Sequence, residues 1–233
     1  MRKLVFLSLF LIGYLFALSN SQLLKFMEEN VELKKNDNQD NGKPNEKYNL
    51  RIMSYNIANF DNHKKWDERK LKIAEEIKDI NPDIIGLQEI RFETNFESES
   101  YNPKNMLLDL AVLLPNYYQF EWIPIMYYDN TAEKVLVEGI GILSRHRILE
   151  KTVKFVSTND DDSNKRAVIR TLIEINEKLT IEYFNTHITY GFAGQLDQSY
   201  EVMSYIDQCR NNSPIKYHQF LNGDTNFDLV NHR

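Results

Sequence analysis

Asp83-Ile84-Ile85-Gly86-Leu87-Gln88-Glu89 is an apolar run that ends abruptly in an amide and a carboxylate. Its β-branched residues and the preceding Pro82 make it a short buried strand that delivers polar side chains at its end. Just upstream, Trp66, Ile73, Ile77 and Ile80 recur at helical spacing. That predicts an amphipathic helix from Trp66 to Ile80, stopped before Pro82. Before it, Leu50, Ile52, Ser54 and Asn56 alternate with Arg51, Met53, Tyr55 and Ile57, the period of a strand. Downstream, Met106 to Leu114 reads as a second helix. Tyr117 to Tyr127, Gly139 to Leu143, Ile148 to Phe155, Val168 to Ile175 and Leu179 to Phe184 are strand-like, rich in Ile, Val, Tyr and Phe. Asn159 to Asn164 reads as an exposed hairpin loop, Leu196 to Cys209 as a third helix and Tyr217 to Leu221 as a last strand. This order favours a mixed sheet, or two sheets packed on each other with helices outside, over a doubly wound nucleotide-binding fold. No G-x-G-x-x-G or P-loop pattern is present.

The chain has 233 residues, enough for one sizeable domain. Its 13 Tyr, 13 Phe and 2 Trp exclude wholesale disorder, and only 8 Gly exclude a collagen-like chain. The formal net charge of -6 argues against an undirected electrostatic grip on polyphosphate. It weakens a binding module more than an enzyme, because a divalent metal supplies positive charge locally.

Arg2 and Lys3, the apolar run Leu4 to Leu18 and the small residues around Ala17-Leu18-Ser19 give residues 1–19 the form of a secretory signal peptide. The run is short for a membrane span, so none is expected in the mature chain, an uncleaved anchor being the alternative. Residues 20–47 become rich in Glu, Asn, Lys, Asp and Gln from Met27 onward, as a flexible linker does, and the folded domain is expected over 48–233. Cys209 is the only cysteine, so no intrachain disulfide forms. Asn211-Asn212-Ser213 is an N-glycosylation sequon, compatible with an extracellular or secretory-pathway location.

Four polar clusters fall at strand ends: Ser54-Tyr55-Asn56-Ile57, Leu87-Gln88-Glu89-Ile90-Arg91, Asn185-Thr186-His187-Ile188 and Leu221-Asn222-Gly223-Asp224-Thr225-Asn226-Phe227. A Glu, a His and an Asp with Asn, delivered together, suit metal-assisted phosphoester cleavage. The carboxylate holds a hard cation, metal and imidazole neutralise charge developing on phosphorus, and a carboxylate with an amide orients water.

With Leu50 to Asn56, Asp83 to Glu89, Gly141-Ile142-Leu143-Ser144-Arg145, Asn185-Thr186-His187 and Asn222 to Asn226 taken in order, the chain resembles the endonuclease/exonuclease/phosphatase superfamily, which has the deoxyribonuclease-I-like fold. The resemblance implies an α/β (α+β) four-layer sandwich of two mixed β-sheets flanked by helices, and a phosphoester hydrolase that uses Mg²⁺, with Mn²⁺ able to replace it. Carried over residue by residue, it implies that Glu89 is the metal ligand and Asn56 the amide beside the metal. His187 would stabilise the phosphate, Asp224 would orient or activate water, and Asn226 would be its phosphate-facing partner. Arg166 and Arg91 match substrate-contacting arginines.

One departure accompanies these matches. Family members carry a late Ser-Asp-His or Asp-His pair, and no Asp-His dipeptide occurs here. The expectation is therefore a sandwich with its last strands missing, either as a fragment of an active enzyme or as a degenerate relative. A secreted Mg²⁺-dependent phosphodiesterase, nucleic acid being the favoured substrate, leads over a sphingomyelinase or inositol-phosphate phosphatase and over a non-catalytic secreted binding protein.

Overall fold

Two parallel strand pairs, each joined through a helix, position everything that follows. The computed structural model describes residues 49–59, 65–95, 104–130, 134–158, 162 and 164–227, all within the compact unit Asn49–Arg233. The expected signal peptide and linker lie outside the described residues. In the first unit, β1 (Ile52–Asn56) runs through α1 (Trp66–Ile80) into β2 (Ile84–Asn95), with β1 parallel to β2. Helix α1 ends where Asn81 turns left-handed and donates its N–H to the Ile77 carbonyl, and Pro82 then forbids continuation. In the second unit, β8 (Leu179–His187) passes through α3 (Phe192–Asn212) into β9 (His218–Asp224), again in parallel.

The remaining elements widen the two sheets. β3 (Lys104–Asn105) is a two-residue pairing on β2 that leads into α2 (Met106–Leu113), whose first turn is capped by the Asn105 side chain. β4 (Gln119–Asn130) and β5 (Lys134–Ser144) complete a first sheet of order β1-β2-β5-β4. β6 (Arg147–Val156) and β7 (Arg166–Asn176) complete a second of order β6-β7-β8-β9. Each sheet is mixed, with one parallel pair.

Alternation along the strands sorts the apolar side chains into three buried layers. Ile85, Leu87 and Leu143 pack outward against Trp66, Ile73 and Ile77 of α1 and Leu110 of α2. Ile84, Ile140 and Ile142 pack inward against Ile169, Ile173, Ile181 and Tyr183 of the second sheet. Val168 and Phe184 meet Val202 and Ile206 of α3 on the far side. The result is helix, sheet, sheet, helix, the four-layer α/β sandwich.

Gly86 allows the two sheets to approach. A Cβ there would lie 2.6 Å from the Tyr183 hydroxyl and clash with the Asn222 amide. Asn222 instead donates to the Met53 carbonyl at 3.0 Å, tying β9 to β1. Deeper in, the buried Asn185 amide donates to the Leu87 and Gly141 carbonyls at 3.0 and 2.8 Å and accepts from Gln88 at 2.6 Å. One side chain of the second sheet thus satisfies polar groups of the first where water is excluded.

Candidate active site

Asn56, His187 and Asp224 each end a strand, and the parallel register sets His187 opposite Asp224 and Asn56 opposite Gln88. Carboxyl ends of parallel strands are where open α/β sheets collect ligands. Glu89 reaches the same place differently. It lies inside β2, where the pairing with β5 slips by one residue between Leu87 and Ile90, and its φ is +59°. This bulge keeps Leu87 and Ile90 on one face and frees Glu89 from the pleat. A left-handed Glu costs about 1–2 kcal/mol, which the surrounding bonds must offset.

The Asn56 amide nitrogen donates to Glu89 Oε1 at 2.9 Å and to Asp224 Oδ2 at 2.8 Å, so carboxylates from the two sheets share one donor. The Ala58 N–H donates to Asn56 Oδ1 at 2.9 Å, which fixes the amide's orientation. The Asn59 N–H donates to Glu89 Oε2 at 3.1 Å. Asp224 Oδ1 accepts the Asn226 N–H at 2.9 Å. Burial alone would raise Asp224, but these donors and the nearby Arg166 guanidinium hold its carboxyl below the ordinary value.

His187 Nε2 stands 4.0 Å from Asp224 Oδ2, beyond hydrogen-bond reach, and its buried Nδ1 has no partner among the described residues. Burial, reinforced by Arg166, pushes its pKa down to about 4, so the imidazole is neutral at pH 7. A neutral ring still offers one donor and one acceptor. Asn226, also left-handed, turns its side-chain amide onto the Ile188 carbonyl at 2.8 Å.

The two arginines expected to contact substrate are both buried. Arg166 forks onto Asp162 Oδ2 at 3.1 and 2.7 Å, while its Nη1 has no partner among the described residues. Asp162, expected in an exposed hairpin, is buried and also accepts the Thr189 hydroxyl at 2.7 Å. Arg91 is wholly buried opposite Glu138 in the β2–β5 register. A guanidinium so enclosed is not presented to a polymer, so substrate contact is not assigned to it.

Glu138, which the sequence reading missed, belongs beside this cluster. It is buried and accepts the Asn59 side-chain amide at 2.6 Å. Burial and the neighbouring Glu89 carboxylate push it above the ordinary carboxylate value, against the lowering effect of Asn59, Arg91 and Arg166. The available signal was a charge inside the apolar run from Val135 to Leu143.

The donor set can be tested against a metal. Among the described residues no three His, Cys, Asp or Glu side chains form a ligand cluster. Glu89 and Asp224 converge through hard oxygen atoms with only amide and backbone donors on them. That fits Mg²⁺, which binds through one or two carboxylates and keeps much of its water, better than an ion needing an all-protein cage.

A two-sheet sandwich with carboxylates and a histidine gathered where its parallel strand pairs end, and an arginine at the start of the adjoining antiparallel strand, is the arrangement that the resemblance implied. Residues 53–227 match the Endonuclease/Exonuclease/phosphatase family, and the chain belongs to it. Enzymes of this family are hydrolases and generally use divalent metals. No match is found among curated protein sequences. Among solved structures the chain is similar to the mannosyl-6-phosphatase of Bacteroides thetaiotaomicron, at 20% identity and TM-score 0.59, covering 79% of this chain and 68% of that one. It is similar to the human Nocturnin catalytic domain with bound sulfate, at 19% identity and TM-score 0.56, over 77% of this chain and 64% of that one. It is also similar to TDP2 from Caenorhabditis elegans, at 18% identity and TM-score 0.53, over 77% of this chain and 48% of that one. The chain thus spans about half to two-thirds of these structures' lengths.

Proposed function

We propose that the chain is a Mg²⁺-dependent phosphoesterase acting on phosphodiester bonds, nucleic acid being the favoured substrate, and that residues 1–19 direct its export. The observation that carries this reading is the single Asn56 amide shared by Glu89 and Asp224, beside a neutral buried histidine. Mg²⁺ held by Glu89 would supply Lewis-acid charge to the phosphoryl oxygens. Asp224, kept as a carboxylate, accepts a hydrogen bond from the attacking water and aims it at phosphorus. His187 donates one N–H to a phosphoryl oxygen, and the free Nη1 of Arg166 adds a fixed positive charge at the same group.

A second reading, a phosphomonoesterase, is favoured by the burial of Arg91, which removes a contact expected for nucleic acid, and by the similarity to a mannosyl-6-phosphatase. Assays of the purified chain on an oligonucleotide, bis-p-nitrophenyl phosphate and mannose 6-phosphate, with Mg²⁺ or EDTA, separate the two. EDTA-sensitive diester turnover supports the first reading, and preferred monoester turnover supports the second. No turnover on any substrate leaves a non-catalytic binding protein. N-terminal sequencing of exported chain tests removal of residues 1–19.

A further inference from the structure

The segment that places Asn56 and Asn59 against Glu89 has little backbone pairing of its own. Ile57 makes a last ladder bond to the Gln88 carbonyl at 3.1 Å, and Ala58 then adopts a left-handed φ of +48° without being Gly or Asn. Such a turn persists only where its surroundings hold it. Beyond the bonds to Asn56, Glu89 and Glu138, one side chain of α1 grips its carbonyls. The Arg69 guanidinium donates to the carbonyls of Ile57, Ala58 (2.8 Å) and Asn59 (3.4 Å), three in succession. Its own position is set by the Trp66 ring, 5.9 Å from the guanidinium carbon, while Trp66 is fixed by a 2.7 Å bond to Asp109 of α2. A planar fork with five donors can serve three carbonyls at once, which an ammonium cannot do.

We propose that Arg69 is the positioning residue of the site: it clamps the Ile57–Asn59 backbone so that the Ala58 N–H orients Asn56 and the Asn59 N–H holds Glu89. The assignment rests on the phosphoesterase reading for its consequence, since the group being positioned is the metal-binding carboxylate. Arg69 touches none of the proposed reacting atoms. It acts through two backbone amides, the Asn56 side chain and the Glu89 carboxylate. Outer partners of this kind typically change metal affinity about 10–100-fold when lost.

The test compares the full chain with Arg69→Met, which keeps the alkyl stem on Trp66 and removes every donor. Two quantities are read at equal circular-dichroism signal: hydrogen exchange at the Ala58 and Asn59 amides, and Glu89-dependent Mn²⁺ affinity by calorimetry, with Glu89→Gln as the blank. Faster exchange at those two amides, unchanged exchange in the middle of α1, and Mn²⁺ binding weakened by about 10–100-fold are expected. Exchange and affinity equal to the parent's would overturn the assignment. If exchange rises while the parent shows no Glu89-dependent Mn²⁺ binding, the clamp stands and the metal reading falls instead. Should Arg69→Met fail to fold, Arg69→Lys is read in the same way, and parent-like exchange there also overturns the clamp.

Discussion

At the scale of single residues, two carboxylates have separable jobs. Glu89 sits left-handed at the bulge, and its oxygens face only N–H donors. Glu89→Gln keeps the shape and removes the charge, so metal-dependent hydrolysis should be lost while the unfolding transition stays within about 0.5–1 kcal/mol of the parent. Undiminished turnover at saturating Mg²⁺ would sink the ligand assignment. Asp162 is the structural counterpart, because it neutralises the buried Arg166. Burial alone would raise its pKa, but the Thr189 hydroxyl and the Arg166 guanidinium hold it below the ordinary carboxylate value. Asp162→Asn should cost roughly 3–5 kcal/mol at pH 7, since it leaves Arg166 buried without its hydrogen-bonded counter-charge. A carboxylate whose pKa is depressed by folding stabilises above its unfolded pKa, and that stability disappears as pH falls through the folded value. The gap in urea midpoint between parent and variant should therefore close in acid. A gap independent of pH would assign the cost to something other than the charge.

Elements show where the fold could and could not be read from the chain. Helix α1 has the expected limits, Trp66 to Ile80, because an apolar stripe and Pro82 are both visible in sequence. Strand β2 was legible only to Gln88, yet it runs to Asn95. The bulge at Gln88-Glu89 shifts the face parity, so alternation breaks off where the strand merely changes phase. Helix α3 begins at Phe192 rather than Leu196, its Gly191 N-cap giving no side-chain capping signal. Asn56, Glu89, His187 and Asp224 stood out because each lies in a polar cluster at a strand end and the four clusters follow the order of the family motifs. Glu138, Arg69 and Asp162 did not, since their roles depend on partners distant in the chain or on burial that the local sequence does not display. Gly86 is the element-scale position most exposed to test. Gly86→Ala places a methyl against Tyr183 and Asn222, so the sheets must separate or β9 must shift. A loss of about 1–3 kcal/mol in urea unfolding is expected, with lower turnover per folded molecule because Asn222 and Asp224 lie on the same short strand. Parent-like stability and rate would mean that the inter-sheet contact is soft.

For the whole molecule, the four layers explain how carboxylates from two sheets meet without forming an exposed acidic patch: the parallel pairs β1–β2 and β8–β9 end side by side, joined by the Asn222 bridge to Met53. The same architecture limits how such a protein holds a polyanion. With a net charge of -6, attraction must come from cations placed locally. Among the described residues near the site, the arginines are already engaged: Arg166 on Asp162, Arg69 on three carbonyls, and Arg91 enclosed beside Glu138. Few counterions would be displaced when a nucleic acid binds, on the order of one or two. With a slope of about -0.9 per phosphate neutralised, KM for a duplex oligonucleotide should rise only roughly 3–12-fold between about 50 and 200 mM salt. A protein with six to ten phosphate contacts would instead lose about 10³–10⁵ in affinity over that range. Initial rates measured across that salt series decide the matter. A steep loss would reveal an extended phosphate-binding surface and make nucleic acid the substrate the molecule is built to grip. A shallow one fits a site that recognises little beyond the scissile phosphate and relies on its metal for the rest.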